Sequence, residues 1–234
     1  LAPTGSGVID ATFAITSLAG ATSHQVGFGA TTGRLIIDGS SAADALTLSD
    51  TGTDIAVTDG VNAVTNLSRD AASIQLDTLN GDDTVTVDLT GIDLNLALPD
   101  IVYNGGADSD LLVVSGTPVN PAISTIYTPG PTSDAGTLVY AGNLTIDFTG
   151  LEPVVDTVPG GTLTVNATDA DNAISYAEGA NSGTGLVGGG YSAEVSIDGF
   201  ESIEFVNKTS LVINGLGGSD VFSMNSPGVP AGLT

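Results

Sequence analysis

Hydrophobic and polar residues alternate along this chain in short runs. In VIDATFAIT, the apolar Ile9, Ala11, Phe13 and Ile15 alternate with Val8, Asp10, Thr12, Ala14 and Thr16, a mostly polar set. Period-two alternation marks a strand with one buried face. A sharper pattern recurs five times: an apolar run, Asp or Asn, five mostly small residues, Asp or Asn again, then two apolar residues spaced by two. The copies are LIIDGSSAADALTL (Asp38 to Asp44), IQLDTLNGDDTVTV (Asp77 to Asp83), IVYNGGADSDLLVV (Asn104 to Asp110), LTVNATDADNAISY (Asn166 to Asn172) and LVINGLGGSDVFSM (Asn214 to Asp220). Each reads as strand, corner, strand. Asp, Asn and Gly suit the corner because they tolerate turn conformations and bond to nearby backbone.

A recurring supersecondary phrase is the mark of a repeat architecture. The predicted fold class is all-β, a parallel β-helix or β-solenoid-like repeat, in which stacking covers faces that one coil cannot bury alone. The residues predicted to point inward are Leu46 and Leu48, Val85 and Val87, Leu112 and Val114, Ile174 and Tyr176, and Phe222 and Met224. Phrase starts are 39, 27, 62 and 48 residues apart. With coils of about 20 to 27 residues, these intervals fit two, one, three and two coils. The alternative is two tandem β-sandwich domains split near residue 120, because short strands with frequent turns look much the same in sequence.

Four segments follow from the pattern. Residues 1–29 form an N-terminal strand or arm, a candidate for docking on a neighbouring subunit. Residues 30–118 hold three phrases and form a first repeat unit. Residues 119–160 connect, with Pro121, Pro129, Pro131, Pro153 and Pro159. Residues 161–234 form a second unit with two phrases. GRLIIDGSSAADALTL aligns with GTLTVNATDADNAISY, and SIQLDTLNGDDTVTV with SLVINGLGGSDVFSM, so duplication is expected. The chain opens on Leu1 and stops soon after its fifth phrase, as expected of a piece of a longer array.

Composition narrows the partners. The chain carries 41% hydrophobic residues and a mean hydropathy of +0.31, against a net charge of −24. Ample apolar material argues against disorder despite the charge. Asp outnumbers Glu by 22 to 5, and the only basic residues are Arg34, Arg69 and Lys208. Strong helix formers among the polar residues are scarce, which again favours strands and corners. Nucleic-acid binding needs basic groups to displace counterions, so it is not expected. Anionic membrane surfaces are excluded on the same ground, and no apolar run approaches the roughly 20 residues that span a bilayer. There is no cysteine, hence no disulfide or thiolate metal site.

Cations are the natural partners of such a surface. Ca²⁺ takes six to eight oxygen ligands in irregular geometry. The candidate ligands are Asp44, Asp82, Asp83, Asp108, Asp110 and Asp220, where carboxylates cluster at corners. The competing reading gives these side chains only a turn-forming role. Two carboxylates at a suitable gap are also the requirement of a glycosidase, but 27 acids make chance proximity common, and Trp is absent. His24, the sole histidine, lies in ATSHQVGFG with no nucleophile-elbow pattern. GLVGGGYS (Gly185 to Ser192) lacks the Lys-Ser/Thr ending of a phosphate-binding loop. Asn66, Asn143, Asn166 and Asn207 open glycosylation sequons, which matter only in a glycosylating source.

GGADSDLL (Gly105 to Leu112) resembles the calcium-binding nonapeptide of RTX proteins, with Asp108 in place of the third Gly. GDDTV and GSDVF match its second half. In that family adjacent turns share one calcium through carbonyls and the Asp carboxylate. The family's motifs stand in immediate tandem, whereas these are 27 or more residues apart. With the FTGLEPV and FESIEFV strands, residues 30–234 are similar to repeat segments of very large bacterial surface and extracellular proteins. The resemblance implies an extracellular or cell-surface structural role. The expected function is a non-enzymatic building block of a filament, sheath, surface layer or adhesin stalk that self-associates into a homopolymer. Alternatives are a calcium-dependent module that binds cell-surface glycans and an enzyme acting on polysaccharide.

Overall fold

The computed structural model describes residues 34–225, except 53, 61–62, 68, 70, 97, 121–122 and 181–190, together with 12–15, 24–27, 230 and 233. The first strands are β1 (Thr12–Ile15), β2 (His24–Gly27), β3 (Arg34–Asp38), β4 (Ala45–Asp50), β5 (Ile55–Thr58) and β6 (Ala63–Leu67). Next come β7 (Ser73–Asp77), β8 (Thr84–Asp88), β9 (Asp100–Asn104), β10 (Leu111–Ser115), β11 (Thr125–Pro129), β12 (Gly136–Tyr140) and β13 (Leu144–Thr149). The last are β14 (Val154–Asp156), β15 (Gly160–Asn166), β16 (Ala173–Glu178), β17 (Ala193–Ile197), β18 (Ile203–Phe205), β19 (Lys208–Asn214) and β20 (Val221–Met224). Among the described residues there is no helix, so the chain is all-β.

Two large mixed sheets hold the described core. One runs β19-β15-β11-β12-β13-β9-β7-β3, and the other β20-β16-β17-β18-β14-β10-β8-β4-β5-β6. The strand before each phrase corner lies in the first sheet and the strand after it in the second. β1 and β2 form a separate antiparallel pair. That pair falls within the expected N-terminal arm, whose remaining residues lie outside the described ones.

Alternation in sequence becomes alternation in burial. β7 and β8 bury every second side chain, Ile74 and Leu76 in one, Val85 and Val87 in the other. The inward pairs Leu46/Leu48, Leu112/Val114 and Ile174/Tyr176 are buried as expected. The fifth pair is not: Phe222 is 54% exposed and Met224 81%. Their register is correct, since Ile174 faces Phe222 and Tyr176 faces Met224 in a parallel pair. β20 is the edge strand, so the row continues but no described strand covers it. One cluster of buried apolar side chains runs from Ile37 to Phe205 across residue 120.

The coil arithmetic needs correction. Phrases one, two and three occupy neighbouring strands β3, β7 and β9, and phrases four and five neighbouring strands β15 and β19. The 39-residue interval is thus one step, its surplus forming the antiparallel β5 and β6 at the sheet end. The 48-residue interval is also one step, with β17 and β18 folding back beside β16. The 62-residue interval covers four steps, through β13, β12 and β11. Period-two patterning sets which face is buried but not whether the next strand runs parallel or antiparallel.

Candidate functional site

The phrases build a column of acidic side chains on stacked corners. In the first three corners the last residue is Asp44, Asp83 and Asp110, all buried. The Asp44 N–H donates to Asp83 Oδ1 at 2.7 Å, and the Asp83 N–H to Asp110 Oδ1 at 2.9 Å. The backbone reciprocates, with Thr84 N–H donating to Asp44 O and Leu111 N–H to Asp83 O, both at 2.8 Å. The Asp83 and Asp110 carboxylates therefore each cap the corner of the preceding layer. Satisfying buried backbone groups is obligatory, which explains the fixed Asp or Asn at this position.

The fifth corner repeats the rule: the Asn172 N–H donates to Asp220 Oδ1 at 3.0 Å. On the other side of Asn172, Asp198 accepts the Ala173 N–H and the Asn172 amide, both at 2.7 Å. These two bonds hold the Asp198 carboxyl below its ordinary range. The outer acids bridge layers as well. Asp82 Oδ1 accepts the Ser109 N–H at 3.1 Å, and Asp108 Oδ2 the Gly81 N–H at 3.2 Å.

All six predicted cation ligands thus sit on corners. Asp44, Asp83 and Asp110 share one column with Asp82 and Asp108 beside it, while Asp220 belongs to the second group. Each accepts a backbone N–H, which for Asp44 comes from Ser40 in its own corner at 2.6 Å. Among the described residues no group of three or more His, Cys, Asp or Glu is arranged to hold a metal ion. In this column two buried carboxylate oxygens, Asp83 Oδ2 and Asp110 Oδ2, accept no hydrogen bond from the described residues. They are the donors a cation would meet here.

Burial pushes the Asp110 carboxyl up to about 6, with Asp83, Glu152 and Asp108 adding repulsion against the Asp83 N–H. Burial raises Asp83 likewise. Glu201 is pushed up to about 7, again by burial first, then by Glu152, Glu194 and Asp134. A carboxyl raised in the fold binds its proton more tightly there than in the unfolded chain, where Asp and Glu titrate near 4. These groups therefore contribute stability below their folded values and lose it as pH rises through about 6 to 7. The melting temperature should rise as pH falls from 7.5 to 5, and Asp110→Asn should flatten that slope. Thermal melts at constant ionic strength check this, and a melting temperature that falls over the same interval contradicts it.

A second buried polar group was not foreseen from sequence. Lys208, at the start of β19, reaches Asp156 at the end of β14, with Nζ 2.8 Å from Oδ2 and both side chains fully buried. Lys208 Nζ also donates to Val158 O at 2.7 Å. The available signal was the sole lysine leading into the alternating strand TSLVIN.

Other predicted features are placed less tellingly. His24 lies in β2. Residues 185–190 of the glycine-rich stretch lie outside the described residues. Asn143, Asn166 and Asn207 use their amides internally, donating to Leu94 O, Thr128 Oγ1 and Thr157 O. An apolar pocket lined by Leu48, Ile74, Val87, Ile101 and Leu144 has Asp50 in its wall, paired with Arg69. No family model, curated protein or solved structure matches the chain.

Proposed function

We propose that this chain is a non-enzymatic building block of an extracellular assembly, a β-solenoid-like stack whose layers continue into a second copy. The supporting observation is the uncovered last layer. Val221, Phe222 and Met224 on β20, with Val212 on β19, are exposed large apolar residues on strands that end both sheets. Edge strands present unpaired backbone groups that recruit another strand unless blocked. Exposed apolar groups in register with a buried row add the area that drives association. At the opposite end the sheets finish on β3, with β2 packed against it, and on β6, and head-to-tail contact sets that end against β19 and β20 of the next copy.

Charge opposes this contact, because each copy carries −24. Association should therefore strengthen with salt or divalent cations, which screen or neutralise the repulsion. Sedimentation velocity over a concentration series tests the reading. The average mass should rise with concentration, and Phe222→Lys with Met224→Lys should abolish the rise while leaving the melting temperature unchanged. A chain that stays monomeric at the highest concentration, with and without calcium, overturns it.

A second reading, a calcium-dependent adhesion or glycan-binding module, is favoured by the two unpartnered oxygens of Asp83 and Asp110 in adjacent layers. It predicts a large rise in melting temperature with Ca²⁺, through linkage of binding to stability, lost in Asp110→Asn. Equal melting temperatures with calcium and with chelator remove it.

A further inference from the structure

We infer that Lys208 and Asp156 are a cross-linking pair, poised to condense into an intramolecular amide that ties edge strand β19 to central strand β14. Both side chains are wholly excluded from solvent, and Lys208 Nζ lies 2.8 Å from Asp156 Oδ2. That contact lacks hydrogen-bond geometry, since Oδ2 accepts no hydrogen bond despite the short distance.

The surrounding groups orient both reactants. Lys208 Nζ donates to Val158 O at 2.7 Å and lies 3.4 Å from Thr125 Oγ1, its second acceptor. A neutral amine making both bonds keeps one lone pair for a third neighbour, and Asp156 Oδ2 is within contact distance. Asp156 Oδ1 is held by the Val158 N–H at 3.0 Å, which leaves Oδ2 as the oxygen free to depart. The ring of Tyr140 lies 5.9 Å from Nζ. Its hydroxyl is buried without a hydrogen-bond partner. Burial, and then Asp156 itself, pushes that hydroxyl well above its ordinary value, so it stays protonated.

The step balances without any co-reactant. A proton passes from the ammonium to the carboxylate, leaving amine and carboxylic acid. The amine lone pair attacks Asp156 Cγ and forms the Nζ–Cγ bond. The Cγ–Oδ2 bond breaks, and that oxygen leaves with one proton from nitrogen and one from the acid as water. Two buried charges, costly in a dry interior, become one neutral amide whose remaining N–H keeps the Val158 carbonyl. Held reactants at contact distance supply the proximity such a condensation needs.

The intact mass of the purified chain under denaturing conditions tests this. We expect a mass lower than the sequence by one water molecule. Trypsin acting on the denatured chain should cut after Arg34 and Arg69 but not after Lys208, because an acylated lysine is not a substrate. Asp156→Ala should restore both the full mass and cleavage at Lys208. A wild-type mass equal to the sequence, with Lys208 cleaved, overturns the inference. So does a missing water that maps to an Asp-Gly step, such as Asp38-Gly39 or Asp198-Gly199, with Lys208 still cleaved.

Discussion

Lys208→Ala is expected to destabilise the fold by at least about 3–5 kcal/mol, the usual cost of leaving one member of a buried pair without its partner, with the loss of the cross-link added to it. Asp156 would be left without its cation in surroundings made by Tyr140, Val158 and Thr125, all buried. The Val158 carbonyl would also lose its 2.7 Å donor. Such buried groups cost most when left unpaired. Removing both charges at once is a different experiment. Lys208→Met with Asp156→Leu should recover the part of the loss that comes from the unpaired group, because a well-packed apolar pair is often neutral or better than the ions it replaces, but not the part that the cross-link contributes. Urea unfolding of the three proteins measures this. A single variant that loses less than about 1 kcal/mol would mean that water reaches the pair.

The second large effect lies at the stacked corners. Gly106 has φ of +102°, and a Cβ built there would stand 1.8 Å from Leu79 O, on the corner of the neighbouring layer. The Ala107 N–H already bonds that same carbonyl at 2.8 Å, so the carbonyl cannot move aside without breaking a layer contact. Gly106→Ala should cost about 2–5 kcal/mol, combining left-handed backbone strain with overpacking. Gly142→Ala is the control. Its φ is +73°, but nothing lies within 4 Å of the added carbon. It should cost only about 1–2 kcal/mol, the strain alone. Equal losses at the two positions in chemical denaturation would mean that the corners do not touch.

Much of this architecture is legible in the sequence. The phrase located the corners, and alternation identified Leu46, Val85, Leu112 and Ile174 as interior residues. The last Asp or Asn read correctly as a corner residue. Its detailed role was legible in part: Asp44 and Asn172 accept N–H groups from within their own corners, whereas Asp83, Asp110 and Asp220 cap the backbone of the neighbouring layer. That distinction depends on which corner stacks next, and local sequence does not encode the neighbour. The same limit hid the Lys208–Asp156 contact, which joins strands that are not adjacent in either sheet. It also hid the exposure of Phe222 and Met224, whose pattern matches their buried counterparts. Only their place on the final strand separates them. The inserted antiparallel strands misled the coil count for a related reason, since β12 and β17 alternate as any parallel strand would.

One layered stack that carries the corners from end to end underlies both the proposed assembly and the acidic column. Its most direct test is the distance between Ala43 and Ser219, which hold the same position in the first and fifth corners and are both exposed. The chain has no cysteine, so spin labels on Ala43→Cys and Ser219→Cys report this pair alone by pulsed dipolar spectroscopy. β3 and β19 end the eight-stranded sheet, seven strand spacings apart, and the stack predicts a narrow distribution centred at roughly 34 Å. A flat, broad distribution, or a centre at four spacings or fewer, would contradict it.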